Sequence, residues 1–99
     1  MAKIVWTEQS VFELKDIFLY ISKDSKRYAE NQIKRIKERT IILRSQPDSG
    51  RIVPELEIIE IRELIEGNYR IIYRKLSDDL VEILTVHHSA RNLESKYIK

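Results

Sequence analysis

The chain has 99 residues, 42% apolar and 34% charged, with a formal net charge of +2; this fits one compact domain with a modest core and excludes a disordered chain. It contains no Cys, which excludes disulfides, thiolate metal sites and thiol catalysis and makes the reducing cytoplasm the expected location. No apolar run approaches the roughly 18 residues of a membrane span, and the charge is too small to establish a nucleic-acid partner.

In chain order, Lys3 to Trp6 is short, apolar and β-favouring, and reads as the first strand of the domain rather than a signal peptide. Thr7 or Ser10 then caps a helix, Ser10 with Glu13 having capping-box spacing. Val11, Leu14, Phe18 and Ile21 recur at helical spacing, with Ile17 beside them. Residues 22–25 break the pattern, and Lys26 opens a longer helix whose stripe is Ala29, Ile33, Ile36, Thr40 and Leu43. Two helices joined this closely form an antiparallel hairpin. Residues 46–51, with Pro47 and Gly50, stop the helix and turn the chain. Residues 52–57 read as an irregular link around Pro54. Three strands follow, 58–65, 69–76 and 80–87, joined by turns at 66–68 and 77–79. The expected fold is therefore α+β in the order β-α-α-β-β-β. An N-terminal strand and a helical hairpin precede a three-stranded antiparallel meander, with the helices on one sheet face. The remainder is polar, a tail from about residue 92 closing a single domain over 1–99.

Charge is unevenly placed. Lys26, Arg27, Lys34, Arg35, Lys37, Arg39 and Arg44 crowd the second helix, whereas residues 55–66 are mostly acidic. Solvated faces account for this as readily as two partner-facing patches of opposite sign. The first helix has more apolar surface than one stripe needs. Phe12 and Leu19 lie together near +90° from Val11, off the buried side, and Ile41 and Ile42 lie off the second helix's stripe. Either a wide core contact or a docking surface for a partner segment accounts for these four.

Residues suited to chemistry are few. His87 and His88 end the last strand and point to opposite faces, so a regular strand cannot deliver both to one site. Either could act as acid or base near neutral pH, or one could pack while the other is solvated. Arg70 and Arg74 share a strand face, which is either solvated or presents a cation to phosphate or carboxylate. Glu55 follows Pro54 where the chain enters the sheet. A carboxylate near an Arg and a His could form an acid–base set for cleaving RNA through its 2′-hydroxyl. No spacing suggests zinc, and two Gly leave no phosphate-binding loop, so neither metal nor cofactor is expected.

Taken together, the Ile-Val-Trp-Thr start, the helical hairpin, Pro47 with Gly50-Arg51, Pro54-Glu55-Leu56, Ile61-Arg62-Glu63-Leu64, Tyr69-Arg70-Ile71-Ile72-Tyr73 and His88-Ser89-Ala90-Arg91 resemble the ParE/RelE superfamily of toxins. The resemblance runs from Lys3 to about Leu93. It implies the toxin of a type II toxin–antitoxin (plasmid stabilisation) pair, neutralised in a hetero-oligomer by a small antitoxin. Phe12, Leu19, Ile41 and Ile42 then become antitoxin-binding candidates. The superfamily divides by activity: RelE-like members cleave messenger RNA in the ribosome, and ParE-like members inhibit DNA gyrase. The RelE pattern wants basic residues on the strand before Tyr69-Arg70, where this chain has Ile61 and Glu63 about the single Arg62. It also wants an Arg and a Tyr past the last strand, where Ser89 and Ser95 stand. The chain therefore resembles the ParE branch more closely. Arg70, Arg74, His88 and Arg91 are the target-binding candidates it implies, with gyrase as target. A further branch uses a Glu after Pro, the Arg of the Tyr-Arg strand and a C-terminal His. Glu55, Arg70 and His87 or His88 could fill those roles in a ribonuclease acting on ribosome and messenger RNA.

Overall fold

The computed structural model describes residues 1–89. Strand β1 (Lys3–Trp6) leads into α1 (Glu8–Ser22) and α2 (Lys26–Arg39). A 3₁₀ turn (Thr40–Arg44) and four strands follow, β2 (Arg51–Ile52), β3 (Ile61–Glu66), β4 (Tyr69–Ser77) and β5 (Leu80–His88). The strands form one sheet in the order β1-β5-β4-β3-β2.

The fold is α+β as expected, but the sheet is five-stranded and mixed rather than a three-stranded antiparallel meander. The β3-β4-β5 meander is present and antiparallel. β1 extends it by running parallel to β5, Lys3 opposite Leu80 and Trp6 opposite Ile83. At the other edge the two residues of β2 pair with Arg62 and Glu63, so the expected irregular link begins inside the sheet. The strand expected from residue 58 begins at Ile61. Glu57 takes a left-handed conformation (φ 53°), which turns the chain and leaves Ile58 and Ile59 exposed.

Caps set the helix ends. Thr7 holds an extended conformation and its Oγ1 accepts the Ser10 amide at 3.1 Å. Ser10 is not the cap: it is buried, donating its hydroxyl to the Thr7 carbonyl at 2.7 Å. Glu13 leaves the supposed capping box to accept from the Thr85 hydroxyl and the Val86 amide on β5. Ser25 caps α2 through the Tyr28 amide, and Lys37 and Arg39 in its last turn suit the negative end of the helix dipole.

Two cores lie on the two sheet faces. On the helical face Leu14, Ile36 and Leu43 pack with Leu64, Ile71, Tyr73, Val81, Ile83 and Val86. On the other face Ile61, Ile72 and Leu84 pack under Val53, with Leu56 against them. The register shifts between Ile72 and Tyr73, which pair with Thr85 and Ile83, leaving Leu84 as the extra residue of β5. That bulge shifts the phase of alternation, so that Ile83 and Val86, three residues apart, serve the same core while Leu84 serves the other. The segment after β2 thus does on the second face what the helices do on the first.

Candidate functional site: an arginine fork beneath a strap

The turn at Gly67-Asn68 sets the geometry. Gly67 sits at φ 56°, a conformation that glycine adopts without strain, and Glu66 pairs directly with Tyr69. Counting back from the turn puts Arg70 opposite Ile65 and Glu63 opposite Ile72. Glu63 and Arg70 are therefore diagonal neighbours on one face. Across β4 on the other side, Arg70 is opposite His87.

Arg70 is 5% exposed. Its Nε donates to Glu63 Oε1 at 2.6 Å, and its Nη1 and Nη2 donate to Glu55 Oε2 at 2.6 Å and Oε1 at 2.8 Å. Glu55 thus takes the two-pronged face of the guanidinium, the strongest geometry available to such a pair. Glu63, with a side chain wholly inaccessible to solvent, also accepts from Arg51 Nε at 2.5 Å. The result is a chain of alternating charge, Arg51–Glu63–Arg70–Glu55, formed by two strand residues, one residue of the edge strand and one of the covering segment. Hydrogen bonding to Glu55, reinforced by Glu63, holds the Arg70 guanidinium still more firmly charged than usual, against its burial.

The sequence candidates fall into three places. Glu55, Arg70 and His87 are brought together on the second face: Glu55 and Arg70 touch, and His87 is the buried cross-strand neighbour of Arg70. His88 points the other way, exposed, with its ring edge-on to Tyr69 at 5.8 Å. Arg74 shares the strand face of Arg70 and is half-buried opposite Ile61 and Glu82. Arg91 lies outside the described residues.

The apolar candidates divide in the same way. A groove of about 600 Å³ between the helical hairpin and β1 is lined by Ile4, Trp6, Phe18, Ile33 and Ile41, with Lys34, Lys37 and Arg44 and also Glu30 and Glu38 on its rim. It adjoins a second hollow that reaches Val11, Leu14 and Lys15. Ile41 lines the groove, whereas Phe12 and Leu19, 63% and 57% exposed, line neither hollow. Ile42 is 36% exposed and lines neither of them.

Two members of the charged chain, Arg51 and Glu63, were not singled out from the sequence. For Glu63 a signal existed. It is an acid at an inward position of Ile61-Arg62-Glu63-Leu64-Ile65, two residues back from the partner of Arg70. An inward carboxylate in an apolar strand calls for a cation on the same face. For Arg51 there was none, because a two-residue edge strand has no periodicity to read.

The chain matches the family described as ParE toxin of type II toxin–antitoxin system, parDE, over residues 4–93. It is 32% identical over 91 residues to a protein of Caulobacter vibrioides named Toxin RelE2, covering 92% of this chain and 99% of that protein. Its fold is similar to that of a chain solved in a structure described as the chromosomal ParDE TA system from P. aeruginosa. There the TM-score is 0.73 at 21% identity, covering 89% of this chain and 96% of the other.

Proposed function

The chain belongs to the ParE toxin family of type II toxin–antitoxin systems, and from that premise we propose that it is a toxin that inhibits DNA gyrase by direct binding, in the cytoplasm, and is held inactive by a cognate antitoxin. Membership of the family itself implies the antitoxin partner. The observation that carries the choice of target is the state of Arg70. All three faces of its guanidinium are taken by Glu55 and Glu63. The four charges of the Arg51–Glu63–Arg70–Glu55 chain sum to zero. Cleavage of a phosphodiester needs a cation aimed at the charge that builds up on the phosphoryl oxygens. A guanidinium enclosed by two carboxylates of its own chain supplies little of that. A surface of low net charge suits a protein target better than an RNA, whose binding rests on many phosphate contacts.

The antitoxin is assigned to the hairpin groove. Its apolar floor of Trp6, Phe18 and Ile33, ringed by Lys34, Lys37 and Arg44 together with Glu30 and Glu38, suits an amphipathic segment with polar groups along its edges.

A second reading is favoured by one specific observation. Glu55 and Arg70 are in contact and His87 is opposite Arg70 on the neighbouring strand. These three residues could fill the acid–base roles of a ribosome-dependent messenger ribonuclease. One experiment separates the two. Purified toxin is added in excess to a gyrase supercoiling reaction and, in parallel, to ribosomes translating a defined messenger. Blocked supercoiling with intact messenger is expected. Unimpaired supercoiling together with cleaved messenger, the cleavage lost in Glu55→Gln and Arg70→Ala, would replace the first reading with the second.

A further inference from the structure

We propose that the hollow between the 58–61 turn and the β4–β5 turn is where this toxin grips its target, and that it takes a protein segment whose apolar side chain is flanked by Lys or Arg. This rests on the reading that the target is a protein reached by direct binding, but not on its being gyrase.

Two large apolar side chains are displayed there by backbone that is fixed in place. Ile59 is 68% exposed and Leu76 51%, and both line a hollow of about 460 Å³. Ile59 stands in a tight turn. The Ile61 amide donates to the Ile58 carbonyl at 3.1 Å, and the Lys75 amide ties the next residue to β4 through the Glu60 carbonyl at 2.9 Å. Leu76 is the extra residue of a second bulge, since Lys75 is opposite Val81 and Ser77 opposite Leu80; such a bulge re-aims a side chain. Single exposed apolar residues are ordinary, but two that share one hollow make a patch. A patch on fixed backbone loses little freedom when it is covered.

The rim gives the chemistry of the occupant. Asp48, Glu60 and Asp78 line the hollow. Its one lining cation among the described residues, Lys75, is held between Asp48 and Asp78, with Nζ 3.0 and 2.9 Å from their carboxylate oxygens. Arg62 reaches Asp48 only at 3.9 Å, and Asp79 is exposed next to Asp78. Four carboxylates against two cations leave two negative charges about an apolar floor. Nucleic acid is repelled by such a rim. A second copy meeting it across a two-fold axis would set acid against acid. A Lys or Arg beside an apolar anchor answers both the floor and the rim, and opposite charges also steer the encounter.

The test uses the full chain. Growth arrest on induction in cells lacking the antitoxin is a readout that assumes no target, and half-inhibition of gyrase supercoiling is measured beside it. Ile59→Ser and Leu76→Ser should each raise the half-inhibiting concentration about tenfold or more and weaken the arrest. Glu60→Lys should act likewise, more at low salt than at high. Asp24→Lys, the same charge reversal on the exposed loop between the helices, should change neither. Unfolding midpoint, oligomeric state and antitoxin affinity should stay at wild-type values in all four; should one of the first three fail to fold, the other two decide. If the wild type arrests growth and leaves supercoiling untouched, gyrase is not the target, and loss of arrest in the first three variants still carries the hollow. Arrest retained in them overturns it whatever the target, as does a wild type that arrests nothing. Antitoxin affinity lost in step would make the antitoxin the occupant. A wild-type dimer broken by Ile59→Ser would make it a second copy, and Glu60→Lys strengthening the toxin would make it a nucleic acid; each of these overturns the proposal.

Discussion

The Gly50 amide donates to the Tyr73 hydroxyl at 2.9 Å, and the same hydroxyl donates to the Pro47 carbonyl at 2.9 Å. Tyr73 is fully buried in the centre of β4, so one side chain of the sheet fixes both ends of the turn that delivers Arg51 to Glu63. A Cβ on Gly50 would lie 2.7 Å from the Glu63 carbonyl oxygen and from the Tyr73 ring and hydroxyl, all of them held by the sheet. Gly50→Ala should cost about 1–3 kcal/mol by overpacking. Tyr73→Phe should cost about 1–2 kcal/mol, because it strands a buried amide and a carbonyl. Urea unfolding of both variants measures this, and no change in midpoint for Gly50→Ala would mean that the turn relaxes freely.

Glu63 should be the most sensitive charged residue of the second face. It is wholly inaccessible and balances both Arg51 and Arg70. Glu63→Leu removes one of the two carboxylates that hold the buried Arg70 among the described residues and should destabilise by about 3–5 kcal/mol. Arg51→Ala removes a side chain that is 64% exposed and should cost about 1 kcal/mol or less. Chemical denaturation gives the ordering; equal losses would show that the burial of Glu63 is not what makes it costly.

Much of this arrangement was legible in the sequence. The Glu66-Gly67-Asn68 turn fixes the β3–β4 register, and alternation from it assigns Arg70, Ile72 and Arg74 to one face. The parallel pairing of β1 with β5 was not legible, since Lys3 and Leu80 meet only through the tertiary fold and no local periodicity reports a neighbour that distant. Ile58 and Ile59 mimic the start of a strand, but the left-handed Glu57 turns them outward. Arg70 shows the deeper limit. Alternation gives the face on which a side chain stands and its diagonal neighbour Glu63, whereas Glu55 is brought to it by a covering segment whose path no pattern in residues 52–57 encodes.

Glu13 supplies a pH dependence. Burial pushes its carboxyl pKa above the ordinary 4.5, only partly offset by hydrogen bonds from Thr85 and Val86. A raised carboxyl keeps its proton longer in the folded state than in the unfolded one. Its contribution to stability is complete below pH 4.5 and is lost as pH rises through the folded value. Glu13→Gln keeps an oxygen to accept from the Val86 amide and does not ionise. The stability of the variant relative to wild type should therefore increase with pH above 4.5 and level off once Glu13 is ionised. Thermal unfolding of the pair across that range measures the difference, and a difference that runs the other way would show that the hydrogen bonds outweigh burial.

The hairpin groove makes a distinct prediction about the antitoxin. Ile41 is 50% exposed on the groove wall, beside Lys34, Lys37 and Arg44. Ile41→Glu changes no core contact and should alter stability by only about 0.5 kcal/mol. It replaces an apolar anchor with a charge that cannot be desolvated cheaply. Affinity for the antitoxin should fall about tenfold or more. Phe12→Ser and Leu19→Ser, on the outward side of α1 and outside both hollows, should cost less, since flat contacts exclude water poorly compared with a concave one. Titration calorimetry with the purified antitoxin gives all three affinities on one scale. If the α1 variants lose more than Ile41→Glu, the antitoxin lies across the outer flank of the first helix, and the groove is a feature of packing rather than of recognition.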